Sequence, residues 1–126
     1  MASEKSVRGL EMSELEALLK SKIEKINSRK DKLQEVGEWI GDGYRGKIIQ
    51  LKFGDKAYHI VFTRDSVSLR EGEYPSVEVT YYASEDVLLR IIKGETRAKT
   101  EIRAGNLVNL QSLHEAAEFE QIMVGV

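Results

Sequence analysis

Cysteine is absent from this sequence, and neither sign of charge is in large excess. Without cysteine the chain has no disulfides, thiolate nucleophiles, iron–sulfur clusters or thiolate zinc sites. The 19 basic and 21 acidic residues give a net charge of -2, so the positive excess with which proteins usually bind nucleic acid is missing. We therefore expect no nucleic-acid partner and no cofactor.

Long hydrophobic runs are also missing. No stretch approaches the roughly 18 uninterrupted apolar residues of a membrane-spanning helix, and residues 1–6 mix charges of both signs without leading into an apolar segment. We therefore expect no membrane span and no cleaved signal peptide, and we predict a cytoplasmic location. The 126 residues, 41% of them hydrophobic, suit one folded domain over residues 1–126.

The amino-terminal part, residues 1–37, is predicted to be helical. Apolar residues recur at helical spacing from residue 13 to about residue 36, and Ser13 with Glu16 forms a capping box. Gly37 is a stop signal, and the pair Asn27 and Ser28 marks a break within the helical pattern. This pattern predicts an amphipathic helix that packs within its own domain.

From residue 47 to residue 82 the period of the pattern changes to two. Tight turns at Gly54 and at Arg64 separate the first three of four predicted strands, and the fourth begins at Val77. Each strand has one apolar and one mostly polar face, which predicts an antiparallel sheet covered on one side. His59 falls on the polar face, so we expect it to face solvent.

The last third of the chain returns to helices. Ser84 caps a helix that ends at Gly94, and a short helix over residues 96–104, a strand over residues 107–110 and a terminal helix over residues 112–124 follow. The first and last of these helices carry wider apolar stripes than one sheet contact needs. That surplus fills a core, overlies a cavity or meets a partner.

No catalytic or metal-binding constellation is found in the sequence. His114 and Glu118 are spaced to share a helix face, but two ligands on a surface helix make a weak metal site. The glycines of residues 41–46 match the spacing of a dinucleotide-binding loop, yet they precede a strand where that loop follows one. We therefore predict no catalytic residue, no metal site and no enzymatic activity.

The order of these segments resembles a known family. The strand and hairpin of residues 47–63 are followed by Val77-Glu78-Val79-Thr80, the helix entry Ser84-Glu85-Asp86-Val87, Lys93-Gly94-Glu95 and Ala104-Gly105-Asn106-Leu107. Residues 46–126 thereby resemble the sterol carrier protein type two domain. Two positions depart from its pattern, because Gln111 stands where a glycine is usual and Asn109 where an aliphatic residue is common.

The resemblance implies an α+β fold with a five-stranded, mainly antiparallel sheet in the order 3-2-1-4-5. It places the helices on one face of the sheet and a hydrophobic tunnel between the sheet and the C-terminal helices. It also implies non-covalent binding and carriage of a fatty acid, acyl-CoA, sterol or other lipid. The alternative is an accessory module that holds a lipid-like intermediate or a protein partner without transfer activity of its own. Transient membrane contact, a protein partner and a homodimer all stay open.

The candidate ligand-binding residues are apolar side chains of the sheet and the last helices, together with one carboxylate. They are Phe53, Phe62, Tyr81, Leu88, Ile91, Ile92, Ile102, Leu113, Ala117, Glu120, Met123 and Val124. Glu120 falls within the apolar arc of the terminal helix, where a carboxylate is costly unless it is partnered or hydrated. Three interpretations are open: the side chain bends toward water, it pairs with a cation such as Arg103, or it stands at a water-filled tunnel mouth and sets the polarity of the ligand's head group.

Overall fold

The structure, a computed structural model, describes residues 12–43 and 45–126, and for Leu110 it describes the backbone alone. Within these ranges the chain forms five helices and five strands. In chain order they are α1 (Glu14–Asn27), α2 (Lys30–Ile40), β1 (Lys47–Phe53), β2 (Lys56–Phe62), β3 (Val67–Glu71), β4 (Val79–Ala83), α3 (Glu85–Lys93), α4 (Ala98–Arg103), β5 (Leu107–Gln111) and α5 (Leu113–Val124).

The predicted amino-terminal helix is two helices. Ser13 caps α1 through its Oγ, which accepts the N–H of Glu16 at 3.0 Å, and the predicted break falls between α1 and α2. The predicted stop at Gly37 is wrong, because α2 continues to Ile40 and its last turn closes from the N–H of Gly41 to the carbonyl of Gly37. Burial of Ile40 on the core side supports that extra turn.

The five strands form one mixed sheet in the order β3-β2-β1-β4-β5. The pairs β1–β2, β2–β3 and β4–β5 are antiparallel, and the central pair β1–β4 is parallel. The α+β class, the mainly antiparallel sheet and the strand order that the resemblance implied are confirmed. The fourth strand begins at Val79, two positions later than predicted, although the N–H of Glu78 already donates to the carbonyl oxygen of Ile48 on β1.

The core lies between the inner face of the sheet and the helices, and aromatic rings occupy its centre. Phe119 of α5 packs edge-on to Phe62 of β2, with ring centroids 5.9 Å apart, and its ring lies 5.7 Å from that of Tyr81 of β4. All three side chains are 0% exposed. These rings fill the space between the sheet and α5 at this level, so the tunnel stays a prediction.

The outer face of the sheet is covered in part by the segment that follows β3. His59 on β2 is only 7% exposed, and its Nδ1 lies 2.9 Å from the carbonyl oxygen of Gly72. The N–H of Tyr74 donates to Oε1 of Gln50 at 2.7 Å across the same face. The prediction that His59 faces solvent is wrong, because the alternation of polar residues does not reveal a loop that folds back over them.

The first and last helices are tied together by a buried lysine. Lys22 of α1 is 8% exposed, and its Nζ donates to the carbonyl oxygen of Met123 at 2.9 Å. Burial, together with the nearby positive charge of Lys25, lowers the pKa of Lys22. The contact sets a cation against the carbonyl end of α5, where the helix dipole favours positive charge. None of the described helices is long and apolar enough to cross a membrane.

The last strand ends in an unusual backbone conformation. Gln111 has φ of 78°, in the left-handed region that favours glycine. This is the position where the sequence departs from the glycine of the family it resembles. The strand nonetheless pairs in full register with β4, from Ala83 opposite Leu107 to Val79 opposite Gln111.

Candidate ligand-binding site

A cleft of about 450 Å³ opens between α4 and α5. The first turn of α4 and its preceding residue form one wall, and α5 forms the other. The lining residues are Arg97, Ala98, Lys99, Thr100, Leu113, His114, Ala116, Ala117 and Glu120. Leu113 is 51% exposed and Ala117 is also exposed, so this cleft presents apolar side chains to solvent at the edge of the core.

Glu120 forms the floor of the cleft and joins three elements. Its side chain is 2% exposed, and its Oε2 accepts the hydroxyl of Tyr81 of β4 at 2.7 Å. Its Oε1 accepts the N–H of Ala98, the first residue of α4, at 3.3 Å. The guanidinium of Arg97 lies 3.9 Å from the same oxygen. The carboxylate therefore caps α4 from α5 while it holds β4.

The electrostatics of this carboxylate are set by burial first. Burial raises the pKa of Glu120, and the hydrogen bonds from Tyr81 and Ala98 together with the charge of Arg97 offset only part of that rise. Burial and the negative charge of Glu120 raise the pKa of Tyr81, which keeps its hydroxyl a proton donor. Glu120 is thus held mainly by neutral donors, while the cation beside it is 58% exposed at the cleft mouth.

The rim of the cleft carries charge opposite to that of its floor. Arg97 and Lys99 are exposed there, whereas Glu120 is the acidic residue among the lining side chains and lies at the bottom. A ligand that enters the cleft therefore passes cationic groups at the surface and then meets a carboxylate beside apolar side chains.

The predicted site residues fall into three groups. Those buried in the core are Phe53, Phe62, Tyr81, Leu88, Ile91, Ile92 and Met123. Those that line the cleft are Leu113, Ala117 and Glu120. Ile102 packs half-buried against the core, and Val124 is half-buried and faces Gly94, where an added Cβ would lie 2.7 Å from its Cγ1. The structure brings together three of the predicted residues in one solvent-connected cleft.

The structure tests two of the three interpretations of Glu120. Bending toward water is wrong, because the side chain is 2% exposed. Pairing with a cation is right in kind but wrong in partner, since Arg103 is exposed at the far end of α4 and Arg97 precedes its start. Whether Glu120 sets the polarity of a ligand's head group stays a prediction.

Sequence reasoning missed the wall that α4 supplies. Residues 97–100 show no apolar pattern, and the spacing of His114 and Glu118 indicates only a shared face of a surface helix. The available signal was Glu120 itself, because a carboxylate in an apolar arc requires donors, and the uncapped start of a neighbouring helix supplies them. The pattern could not say which helix start lies beside it.

A second hollow, of about 460 Å³, lies on the other side of α5 and has a different chemistry. Glu115 lies in it and accepts from Nε1 of Trp39 at 2.8 Å and from Nζ of Lys47. Burial pushes the pKa of Glu115 upward, but the hydrogen bonds from Lys47 and Trp39 outweigh it and the pKa is lowered. Glu35, Glu38 and Glu118 also line this hollow, so it suits an apolar molecule poorly.

Metal ligands are not gathered in the part of the chain that the structure describes, where no group of three or more His, Asp or Glu side chains could hold an ion.

Comparison with known proteins places the fold. No family model and no curated protein matches the sequence. Among solved structures, the ubiquinone synthesis protein UbiJ-SCP2 matches with a TM-score of 0.64 at 16% identity, covering 96% of this chain and 94% of that one. Sterol carrier protein 2 from Yarrowia lipolytica, in its apo form, matches with a TM-score of 0.64 at 15% identity over 94% and 93%.

A third neighbour is the palmitated form of SCP2L2 from Aedes aegypti, with a TM-score of 0.51 at 16% identity, covering 83% of this chain and 93% of that one. The resemblance expected from the sequence is confirmed as a shared fold: this chain has the fold of the sterol carrier protein 2 domains.

Proposed function

We propose that this protein binds a fatty acid, acyl-CoA, sterol or other lipid non-covalently and carries it through water, and that the ligand enters at the cleft between α4 and α5. The observation that carries the proposal is this cleft, with exposed Leu113 and Ala117 at the edge of the core. The palmitated structural neighbour supports the choice of ligand class. The proposed activity uses no catalytic residue.

Burial of apolar surface is the source of the affinity in this proposal. Each CH₂ group removed from water contributes about 0.8 kcal/mol. An acyl chain of about a dozen carbons therefore contributes about 10 kcal/mol before the costs of association, compared with the roughly 8 kcal/mol of a micromolar complex.

A ligand longer than the cleft has to pass between α5 and the sheet. Phe119 occupies that space against Phe62 and Tyr81. We propose that α5 shifts to admit the chain and that the core residues predicted as tunnel-lining, among them Leu88 and Met123, then contact it. Such a shift breaks the hydrogen bonds that Glu120 accepts from Tyr81 and Ala98, and the one that the carbonyl oxygen of Ala116 accepts from Tyr81.

The test combines native mass spectrometry of gently purified protein with titration of a fluorescent long-chain fatty acid. We expect a mass increment that matches a lipid, saturable binding and a negative heat-capacity change of binding. Ala117→Trp fills the cleft and should weaken binding, whereas Gln121→Trp, its control, places the same ring in the other hollow of α5. The absence of saturable binding, or equal effects of the two variants, would argue against the proposal.

An accessory role is the second candidate, and one observation favours it. The neighbour UbiJ-SCP2 is described as a ubiquinone synthesis protein and covers 96% of this chain. In this role the chain would hold a lipid-like intermediate for other proteins without transferring it independently. A protein partner that co-purifies with a lipid-free chain would favour this role over carriage.

A further inference from the structure

Asn109 carries a buried side-chain amide without a partner. Its Nδ2 and Oδ1 are both covered from solvent, and neither has a hydrogen bond within the ranges 12–43 and 45–126. By contrast, the buried amide of Gln50 donates to Thr80 and accepts from Tyr74. A buried amide that makes no hydrogen bond is costly, because it has lost its bonds to water and gained none.

The fold places this amide next to the candidate site. Asn109 lies directly opposite Tyr81 in the β4–β5 pairing, so the two side chains share the inner face of the sheet. Tyr81 holds Glu120 at the floor of the cleft, and Ala98 of α4 donates to the same carboxylate. Helix α4 packs against β5, the strand that carries Asn109. The amide therefore lies among the elements that build the cleft without itself lining it, so a ligand reaches it through the shift of α5 proposed above.

A structural role does not account for this residue. Asparagine is a poor strand former, and an aliphatic side chain at this position would pack against the core without an unmet hydrogen bond. The amide joins no network that would fix the register of β5, which its backbone pairing with β4 already sets. What the amide offers is two N–H donors and one carbonyl acceptor directed at no protein group.

We propose that Asn109 is a specificity residue that binds the polar end of the ligand and that this end is an uncharged group bearing a hydroxyl or a carbonyl oxygen. A hydroxyl accepts from the amide N–H and donates to the amide oxygen, so one such group satisfies both. A carboxylate is disfavoured, because it would bring a second negative charge into the buried surroundings of Glu120. The inference rests on the proposed function, since it names the class of ligand that the site takes.

The experiment compares two probes of equal chain length, dodecanol and dodecanoate, by their displacement of a neutral fluorescent dye. The variants are Asn109→Leu and, as the control, Val108→Leu at the adjacent position, which faces outward and is 57% exposed. The unaltered protein should bind dodecanol more tightly than dodecanoate. Asn109→Leu should weaken dodecanol about fivefold, the value of one net hydrogen bond, and leave dodecanoate within about twofold. Val108→Leu should change neither affinity.

A second measurement uses the unaltered protein, so it does not depend on whether the Asn109→Leu variant folds. In the isotope-labelled unaltered protein, the side-chain NH₂ resonances of Asn109 should shift on addition of dodecanol and shift less with dodecanoate. The assigned side-chain resonances of Gln50, which already has its partners, serve as the internal reference.

The outcomes separate this inference from the proposed function. If neither probe binds the unaltered protein, the proposed function fails and the inference falls with it. If both bind but Asn109→Leu weakens them equally, or raises the melting temperature with no change in selectivity, lipid binding stands and the assignment of Asn109 is wrong. A higher melting temperature without a change in selectivity would mean that the amide of Asn109 contacts water or has no hydrogen-bond partner at all.

Discussion

Each of the two sides of α5 carries a glutamate carboxylate, and the pKa values of the two are shifted in opposite directions. Glu115 faces the polar hollow, where Lys47 and Trp39 donate to it and its pKa is lowered. Glu120 faces the apolar cleft, where Tyr81 and a backbone N–H donate to it and burial raises its pKa. Two things differ. Glu120 is the more deeply buried of the two, and Lys47 is in direct contact with Glu115, whereas Arg97 lies 3.9 Å from Glu120 and is largely exposed.

This difference gives the two carboxylates opposite effects on stability. A lowered folded-state pKa means that Glu115 stabilises the protein above the ordinary glutamate pKa, and the gain is lost as pH falls through the lowered value. A raised folded-state pKa means that stability falls as pH rises from the ordinary value through the raised one, so Glu120 is a cost at neutral pH. A carboxylate kept at such a cost is a candidate for function.

The largest expected effect on stability comes from removing the ring of Phe119, which anchors α5 to the sheet. Phe119→Ala deletes a ring that is 0% exposed and packs on Phe62 and Tyr81, so unfolding in urea should show a loss of about 3–5 kcal/mol. Leu113→Ala, on the same helix but 51% exposed, is the control and should cost well under half as much. Similar losses for the two variants would mean that α5 is not anchored by this ring.

The next effect isolates the donor to Glu120. Tyr81→Phe removes a hydrogen bond to a buried carboxylate and should cost about 2 kcal/mol at neutral pH. The cost should shrink in acid, where the protonated carboxyl group needs the donor less. Tyr58→Phe is the matched control. The hydroxyl of Tyr58 donates to Glu16, and Glu16 keeps its ion pair with Lys20, at 3.3 Å, when that hydroxyl is removed. A loss that is constant across pH would contradict the raised pKa of Glu120.

A smaller effect tests the other side of the helix. Glu115→Gln removes the charge that Lys47 and Trp39 hold, so the variant should be about 1 kcal/mol less stable at neutral pH. Urea unfolding across a pH series should show this difference disappear as pH falls through the lowered pKa of Glu115. Glu118→Gln, a neighbour in the same hollow, is the control. A difference that grows in acid would reverse the assigned sign.

The smallest effect on stability is expected at the cleft floor. Glu120→Gln keeps one oxygen for the N–H of Ala98 and turns an NH₂ toward the oxygen of Tyr81, so stability at neutral pH should rise or change by less than about 1 kcal/mol. The pH dependence of stability should flatten over the window of the raised pKa.

The same variant should also change selectivity for ligands. Loss of the negative charge should strengthen binding of an anionic fatty acid about fivefold and leave a neutral sterol unchanged. Equal effects on the two ligands, or a clear loss of stability, would return Glu120 to a purely structural role.

Local signals in the sequence predicted the elements well. The cap at Ser84, the turn at Gly54 with its φ of 59° and the end of α3 at Gly94 with φ of 86° are where they were expected, because each depends on neighbouring residues alone. The adjacency of β1 and β4 joins residues 30 positions apart, such as Ile49 and Val79, so it came from the resemblance and not from periodicity. The parallel direction of this pair was not predicted.

The errors occur where a distant contact overrides a local signal. Gly37 reads as a helix end, yet its carbonyl accepts both the N–H of Gly41 and, at 3.3 Å, the guanidinium of Arg64 from the turn after β2. His59 reads as exposed, yet a loop covers it. At Glu120 the apolar arc indicated a special position, but its true partners, Tyr81 and Ala98, lie on other elements.

The contact between Lys22 and Met123 has a consequence for how the protein is made. The two residues are separated by 101 positions, so a ribosome completes α1 long before the carbonyl that receives its lysine exists. Burying that ammonium group without its acceptor is unfavourable. The apolar face of α1 can pack on β3 and α3 as soon as they are made, but the ammonium group of Lys22 has no acceptor until α5 emerges. We therefore expect Lys22 to reach its buried position only when the terminal helix docks, in the last step of assembly.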